Sequence, residues 1–228
     1  MPNILITGAS RGIGREFVRQ YAADGWRAFA CCRNPAAAEE LNALAAASEG
    51  RVTVHKLDVD DGGSVAALQA ELSGETFDVL INNAGIIGAR GDGLGDMDYD
   101  AWAATMNTNV FGPMRVADAF VGQLGGEKKL VTISSRMGSI ANAKDRSIVY
   151  RSSKAAVNMV MACLSNELAD RGIVTVVFHP GHVQTDMGGS AAPVTPTDSV
   201  TGMRGVIAGL TRSDNGHFLN YDGSEIAW

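Results

Sequence analysis

Short apolar runs alternate with helix-forming stretches along the whole chain, and that alternation constrains the fold more than any other feature. NILIT (3–7), WRAFACC (26–32), RVTVHKLDV (51–59), FDVLINNAG (77–85), KLVTISS (129–135), IVTVVFHPG (173–181) and HFLNY (217–221) read as strands. Helices are expected from about Gly12 to Ala23 and over 36–47, 63–72, 98–123, 149–170 and 198–211. The 98–123 helix should kink near Gly112–Pro113, and the 149–170 helix should stop at Gly172. Strands that are apolar almost throughout are buried on both faces, which predicts a mostly parallel seven-stranded sheet with helices on each side. No repeat or composition shift divides the 228 residues, so a single domain over 1–228 is expected. Ligands of such doubly wound α/β sheets bind at the carboxyl ends of the strands, where the unusual residues of this chain collect.

The first of these is TGASRGIG (7–14), which joins the first strand to the first helix. Gly8 permits a tight turn, Gly12 lets backbone approach a pyrophosphate, and Gly14 lets helix pack on strand. The helix start adds unpaired N–H groups and partial positive charge. Ser10, Arg11 and Ile13 lie within the turn and join the expected cofactor contacts. A turn so placed leads to the expectation of a Rossmann-type dinucleotide-binding fold. An acidic residue about 20 positions further on would hold an NAD ribose. The second strand ends CCRN instead, so Arg33 is the candidate partner of a 2′-phosphate and Arg11 a second guanidinium, which favours NADP(H) over NAD(H).

Residues 150–154 read YRSSK. Positions i and i+4 share a helix face, so Lys154 would bring its charge close to the Tyr150 oxygen and lower the phenol pKa. An exposed helix face shows the same spacing, so the pair gains meaning only from the rest of the chain.

Net charge is −6, which argues against a nucleic-acid or anionic-membrane surface. Cys31 and Cys32 are adjacent and Cys163 is remote, neither a disulfide framework nor a metal spacing, and the pattern suits a reducing cytoplasm. Cys31 and Cys32 are expected to pack at a strand end. With four His and no clustered Cys, no metal site is expected. No targeting segment and no membrane span are visible, so a cytoplasmic location is expected.

The motifs together resemble the short-chain dehydrogenase/reductase family along the whole chain. The glycine turn, NNAG (82–85), NTNVFG (107–112), ISSRMG (133–138), YRSSK and HPGHVQTDMGG (179–189) occur in the family's order. The ending FLNYDGSEIAW and the phrase TDMGG are similar to its C-factor-like and Sniffer-like carbonyl reductase branch.

The resemblance implies a catalytic tetrad of Asn109, Ser135, Tyr150 and Lys154. The family's serine stands three residues before a glycine, which selects Ser135 with Gly138, and Ser134 remains the alternative. Tyr150 would act as general acid/base and Ser135 would steady the carbonyl oxygen. Lys154 would also hold the nicotinamide ribose, and Asn109 would hold a water relaying protons toward Lys154. By position, Asp58 would bind the adenine amino group beside Val59. Asn82, Ala84 and Gly85 would line the adenosine side, and Pro180, Gly181, Val183 and Thr185 would approach the carboxamide. His179 and His182 are expected as loop residues or pocket walls.

The implied activity is NADPH-dependent, reversible reduction of a small aldehyde or ketone. A dinucleotide-binding signalling or regulatory protein of C-factor type is the alternative. A sugar-nucleotide epimerase or dehydratase of the related extended type would need a sizeable C-terminal domain, and only 43 residues follow Thr185. The substrate pocket is expected from loops 86–98, 136–149 and about 182–200, with GARGDGLGDMD (88–98) and 182–200 on the surface. The family often pairs its two long helices, so a homodimer or homotetramer is open, with Met106, Met159 and Met161 at that contact or in the core.

Overall fold

The computed structural model describes residues 1–88 and 92–228. Residues 89–91, in the expected surface loop 88–98, lie outside the described residues. Strand β1 (Asn3–Thr7) lies between β2 (Arg27–Cys32) and β4 (Phe77–Asn82). With β3 (Val52–Lys56), β5 (Leu124–Ile133), β6 (Val174–His179) and β7 (Phe218–Asn220), they form one sheet in the order β3-β2-β1-β4-β5-β6-β7. Every neighbouring pair is parallel.

The continuous apolarity of the strands follows from cover on both faces. Ile4 and Ile6 of β1 point toward α1 (Gly12–Ala23), α2 (Glu39–Ala46) and α7 (Pro196–Gly209), where Phe17, Leu41 and Met203 meet them. Leu5 points the other way, into a core shared with α3 (Gly62–Glu71), α5 (Gly112–Phe120) and α6 (Ile148–Glu167) through Leu68, Val116 and Val157. Helix α4 (Tyr99–Met106) packs Met106 on that second core. Each fully buried Leu or Ile contributes roughly 1.5–3 kcal/mol, so slipping one strand by a residue would misplace several such terms on both faces. Met161 belongs to this core, whereas Met159 is exposed.

Three expectations shift. The single helix over 98–123 is broken by a π turn at Asn107–Phe111. Pro113 has no N–H to return to the Asn109 carbonyl four residues earlier, so α geometry cannot run through that point. Helix α7 starts at Pro196, inside the expected 182–200 loop, because Thr195 caps it by accepting from the Asp198 N–H at 3.0 Å and Pro196 suits the first turn. Strand β3 ends at Lys56, leaving Leu57, Asp58 and Val59 to turn across the sheet edge. No helix among the described residues is long and apolar enough to cross a membrane.

Candidate active site

The carboxyl ends of the strands open onto a cavity of about 880 Å³. Its floor is the glycine turn, where Gly8, Ser10, Arg11, Gly12, Ile13 and Gly14 all reach the wall. Gly14 is required by close approach: a Cβ there would stand 2.3 Å from the Gly8 carbonyl oxygen. Helix α1 begins at this floor with no side-chain cap, so its first N–H groups have no side-chain acceptor. An uncapped helix start beside a glycine cradle fits the pyrophosphate of a dinucleotide.

Arg33, Asp58, Val59, Ala84, Gly85, Tyr150, Lys154, Pro180 and Thr185 also reach the cavity wall. Asn82, Gly181 and Val183 do not. Asn82 has the strand parity of Leu80, facing α5, and its amide donates to the Pro113 carbonyl at 3.2 Å. Its neighbour Asn83 lines the cavity instead and braces the glycine turn, donating to the Thr7 and Gly8 carbonyls at 2.9 and 3.1 Å. The two-residue period of β4 carries that distinction. Val183 bridges to Val194, and a side chain on Gly181 would meet Tyr221 and Val194. Both positions hold the loop together behind the wall.

Among the described residues three guanidinium groups reach the cavity, and the sequence reading missed Arg15. Arg11 pairs with Asp186 at 2.9 Å and Arg15 pairs with Glu40. Of these three guanidinium groups, Arg33 alone has no carboxylate partner among the described residues. Cys31 and Cys32 are buried at the end of β2, and Cys32 reaches the wall. Asp58 accepts from the Asp60 N–H at 3.1 Å, which holds the turn after β3 against Thr108, whose hydroxyl donates to Asp60 at 2.8 Å.

The catalytic candidates converge on α6. Tyr150 and Lys154 share one of its faces, both almost fully buried, and the Lys154 ammonium donates to the Ile133 carbonyl at 3.1 Å. Ser135, off the cavity wall, stands close enough to the Tyr150 phenol to favour its ionised form, and its hydroxyl accepts from the Met137 N–H at 3.1 Å. Ser134 does line the cavity, but its hydroxyl is committed to Asn158, to which it donates at 2.6 Å. The short turn Arg136–Gly138 presses on α6, and a Cβ on Gly138 would lie 2.6 Å from the Lys154 carbonyl carbon. That contact gives the serine-to-glycine spacing its physical reason.

The expected lowering of the Tyr150 pKa by Lys154 is reversed. Burial disfavours the phenolate and pushes Tyr150 up to about 12, moderated by the nearby Ser135 hydroxyl. Burial also penalises the ammonium, pushing Lys154 down to about 8. At neutral pH this pairs a neutral phenol with a charged lysine, the state suited to giving a proton away.

Asn109 is also off the wall. Its amide is spent on positioning: Oδ1 accepts from the Ile86 N–H at 2.8 Å, and Nδ2 donates to the Ile86 carbonyl at 2.8 Å and to Ser153 at 3.0 Å. The side chain is thus committed to the backbone beside Gly85 and to Ser153, and is not free to hold the expected relay water. His179 ends β6, where burial, Arg136 and His182 push it down to about 4. His182 Nε2 lies 2.8 Å from the Gly188 carbonyl and holds the loop.

Comparison with known proteins agrees with this geometry. A family model described as short chain dehydrogenase matches residues 2–194. C-signal of Myxococcus xanthus is 46% identical over 154 residues, covering 66% of this chain and 92% of that protein. The NADPH-bound carbonyl reductase from chicken fatty liver superposes with a TM-score of 0.90 at 35% identity, covering 100% of this chain and 99% of that one. The carbonyl reductase Sniffer of D. melanogaster superposes with a TM-score of 0.93 at 31% identity over 100% of both chains. The match spans the glycine turn, the Tyr150–Lys154 helix and the loop after β6, and the chain is an oxidoreductase of the short-chain dehydrogenase/reductase family.

Proposed function

We propose that the protein uses NADPH to reduce a small aldehyde or ketone to an alcohol, reversibly, with Tyr150 as general acid/base. The observation that carries this reading is the Tyr150 phenol at the wall of the cavity, kept neutral by burial, with the Lys154 ammonium 5.7 Å from its ring centre. Bound NADPH supplies hydride to the carbonyl carbon. Tyr150 gives its proton to the carbonyl oxygen, and the Ser135 hydroxyl donates to the same oxygen as negative charge develops there. Lys154 offsets the charge left on Tyr150 and holds the nicotinamide ribose. Asn109 fixes Ile86 and so the wall beside Gly85.

The glycine turn and the α1 N-terminus would hold the pyrophosphate, Asp58 and Val59 the adenine, and Pro180 and Thr185 the carboxamide. Preference for NADPH over NADH is assigned to Arg33. The loop from about 182 to Thr195 serves as the substrate lid. It folds back on the glycine turn, where a Cβ on Gly12 would lie 3.2 Å from the Thr185 methyl, and where Arg11 meets Asp186. The three free thiols suit a cytoplasmic protein, and a dimer would use the outer faces of α5 and α6.

A panel of aldehydes and ketones, read by NADPH consumption, tests the reading. Tight NADPH binding with no turnover on any member would sink it. The similarity to C-signal favours a second reading, a dinucleotide-binding signalling protein in which turnover is incidental. That reading expects signalling to survive Tyr150→Phe, whereas the reductase reading expects every carbonyl-dependent effect to be lost.

A further inference from the structure

We propose that Asp92 is a positioning residue for Tyr150: its carboxylate, carried on the loop between β4 and α4, caps α6 and fixes the first turn that holds the phenol. The proposal rests on Tyr150 being the general acid of the proposed reaction.

Tyr150 is the third residue of α6, so its position depends on how that helix starts. The residue before the helix is Ser147, a type that ordinarily caps through its own hydroxyl. Here it does not. Ser147 is left-handed, with φ at 53°, and makes no side-chain cap, and Arg146 before it is also left-handed, with φ at 61°. Two consecutive non-glycine residues in this region are strained at roughly 1–3 kcal/mol each, so the surroundings must impose the conformation.

Asp92 imposes it. One carboxylate oxygen, Oδ2, accepts the Val149 N–H at 2.7 Å, and the Asp92 backbone carbonyl accepts the Ser147 N–H at 3.0 Å. These bonds join segments more than fifty residues apart in sequence and take up two donors at the helix start. Asp92 is only 2% exposed, and its other oxygen, Oδ1, is buried with no hydrogen-bond partner. A carboxylate at that depth is costly unless something compensates it. The positive end of a 20-residue helix does so.

The segment after β4 is anchored by Asn109, which grips Ile86, and Gly88 sits so close to its neighbours that a Cβ there would clash with Thr105 and lie 3.2 Å from the Val149 side chain. The described residues on either side of 89–91 therefore touch both the cofactor wall, through Ile86 beside Gly85, and the helix turn that carries the phenol, through Asp92. A shift of Asp92 would move Tyr150 relative to Ser135 and Lys154.

The test compares Asp92→Ala with Asp92→Asn, which keeps a carbonyl oxygen for the Val149 N–H. Turnover is measured on the best carbonyl of the panel, alongside NADPH affinity and amide exchange at Val149 and Tyr150. The expected result is a kcat loss of about 10- to 100-fold in Asp92→Ala, NADPH Kd held within about twofold, and recovery of most of the kcat in Asp92→Asn. Amide exchange at Val149 should quicken in Asp92→Ala alone. Wild-type kcat in Asp92→Ala, or an Asp92→Asn variant as slow as Asp92→Ala, would overturn the proposal. Loss of NADPH binding in step with kcat would also overturn it, since that marks general loosening rather than positioning. Where Asp92→Ala fails to fold, Asp92→Asn decides: quickened Val149 exchange or a comparable kcat loss there overturns the cap. Tyr150→Phe, run in parallel, separates the two readings. Wild-type turnover in it removes the general acid, whereas unchanged Val149 exchange in a folded Asp92→Ala removes the cap.

Discussion

The Lys154 ammonium lies over the face of the Tyr150 ring, 5.7 Å from its centre, and hydrogen-bonds the Ile133 carbonyl. A cation at the ring face interacts favourably with the π system, yet the burial that encloses the pair governs both titrations. Tyr150 stays protonated far above neutral pH, and Lys154 is ready to lose its proton near pH 8.

Tyr150→Phe removes the proton donor and leaves the ring. Turnover should fall by about 10²- to 10⁴-fold with NADPH affinity nearly unchanged. In the wild type, carbonyl reduction should show no loss assignable to Tyr150 between pH 6 and 8, because the phenol titrates at about 12. Steady-state kinetics across that range, with NADPH binding measured separately, check both statements. Wild-type turnover in the Phe variant would place the donor elsewhere.

Lys154→Met should trade activity for stability. The folded pKa of about 8 lies below the ordinary 10.5, so the unfolded chain binds more protons between those values. The penalty for burying the charge is therefore fully present below pH 8 and fades as pH rises toward 10.5. Melting at pH 7 should show the Met variant stabilised by something on the order of 1–3 kcal/mol, a gain that shrinks above pH 8. Turnover should collapse and NADPH binding weaken. For the wild type, kcat/KM for NADPH should decline as pH rises through about 8. A Met variant that melts below wild type at pH 7 would show that the ammonium is well compensated.

Gly138→Ala tests the contact that sets Ser135. The new methyl would meet the Lys154 backbone at 2.6 Å, and backbone cannot swing aside as a side-chain tip can. The turn should lift from α6, cost roughly 1–3 kcal/mol of stability, and separate Ser135 from Tyr150. A misplacement of about 1 Å is enough to lower kcat by about 10²-fold. Gly74→Ala, at a position with nothing within 4 Å, is the control. Equal kcat in the two variants would mean the turn absorbs the methyl.

The strands and their two-sided burial were legible because each needs only the local pattern of apolar residues. The π turn at Asn107–Phe111 was half legible: Gly112–Pro113 announced a break, but Pro113 alone does not say that the turn widens rather than bends. Asn83 was legible in principle, since Leu80 and Asn82 share a parity that points toward α5. The sign of the Tyr150 shift was not legible. Spacing on a helix reports which groups are close, whereas the shift depends on water excluded by elements far apart in sequence. The ion pairs that occupy Arg11 and Arg15 were hidden for the same reason. Their partners, Asp186 and Glu40, reach the glycine turn only through tertiary folding.

Those ion pairs sharpen the expectation for cofactor choice. Arg11 and Arg15 each have a carboxylate, whereas Arg33, exposed at the cavity wall after β2, has no ion-pair partner among the described residues. A 2′-phosphate carries nearly two negative charges at neutral pH, and NADH lacks it. A charge-assisted hydrogen bond contributes roughly 1.5–3 kcal/mol, which corresponds to about a ten- to hundredfold preference for NADPH. Arg33→Ala should weaken NADPH by about that factor while barely changing NADH. Cys32→Asp should go further, because Cys32 also reaches the cavity and a carboxylate there repels the phosphate while offering an acceptor to the NADH ribose. Asp186→Ala should act in the opposite sense, since it releases Arg11 toward the phosphate and raises NADPH affinity. Measuring kcat/KM for both cofactors in the wild type and the three variants separates these contributions. Equal weakening of both cofactors by Arg33→Ala would show that Arg33 supports the wall of the cavity rather than reading the phosphate.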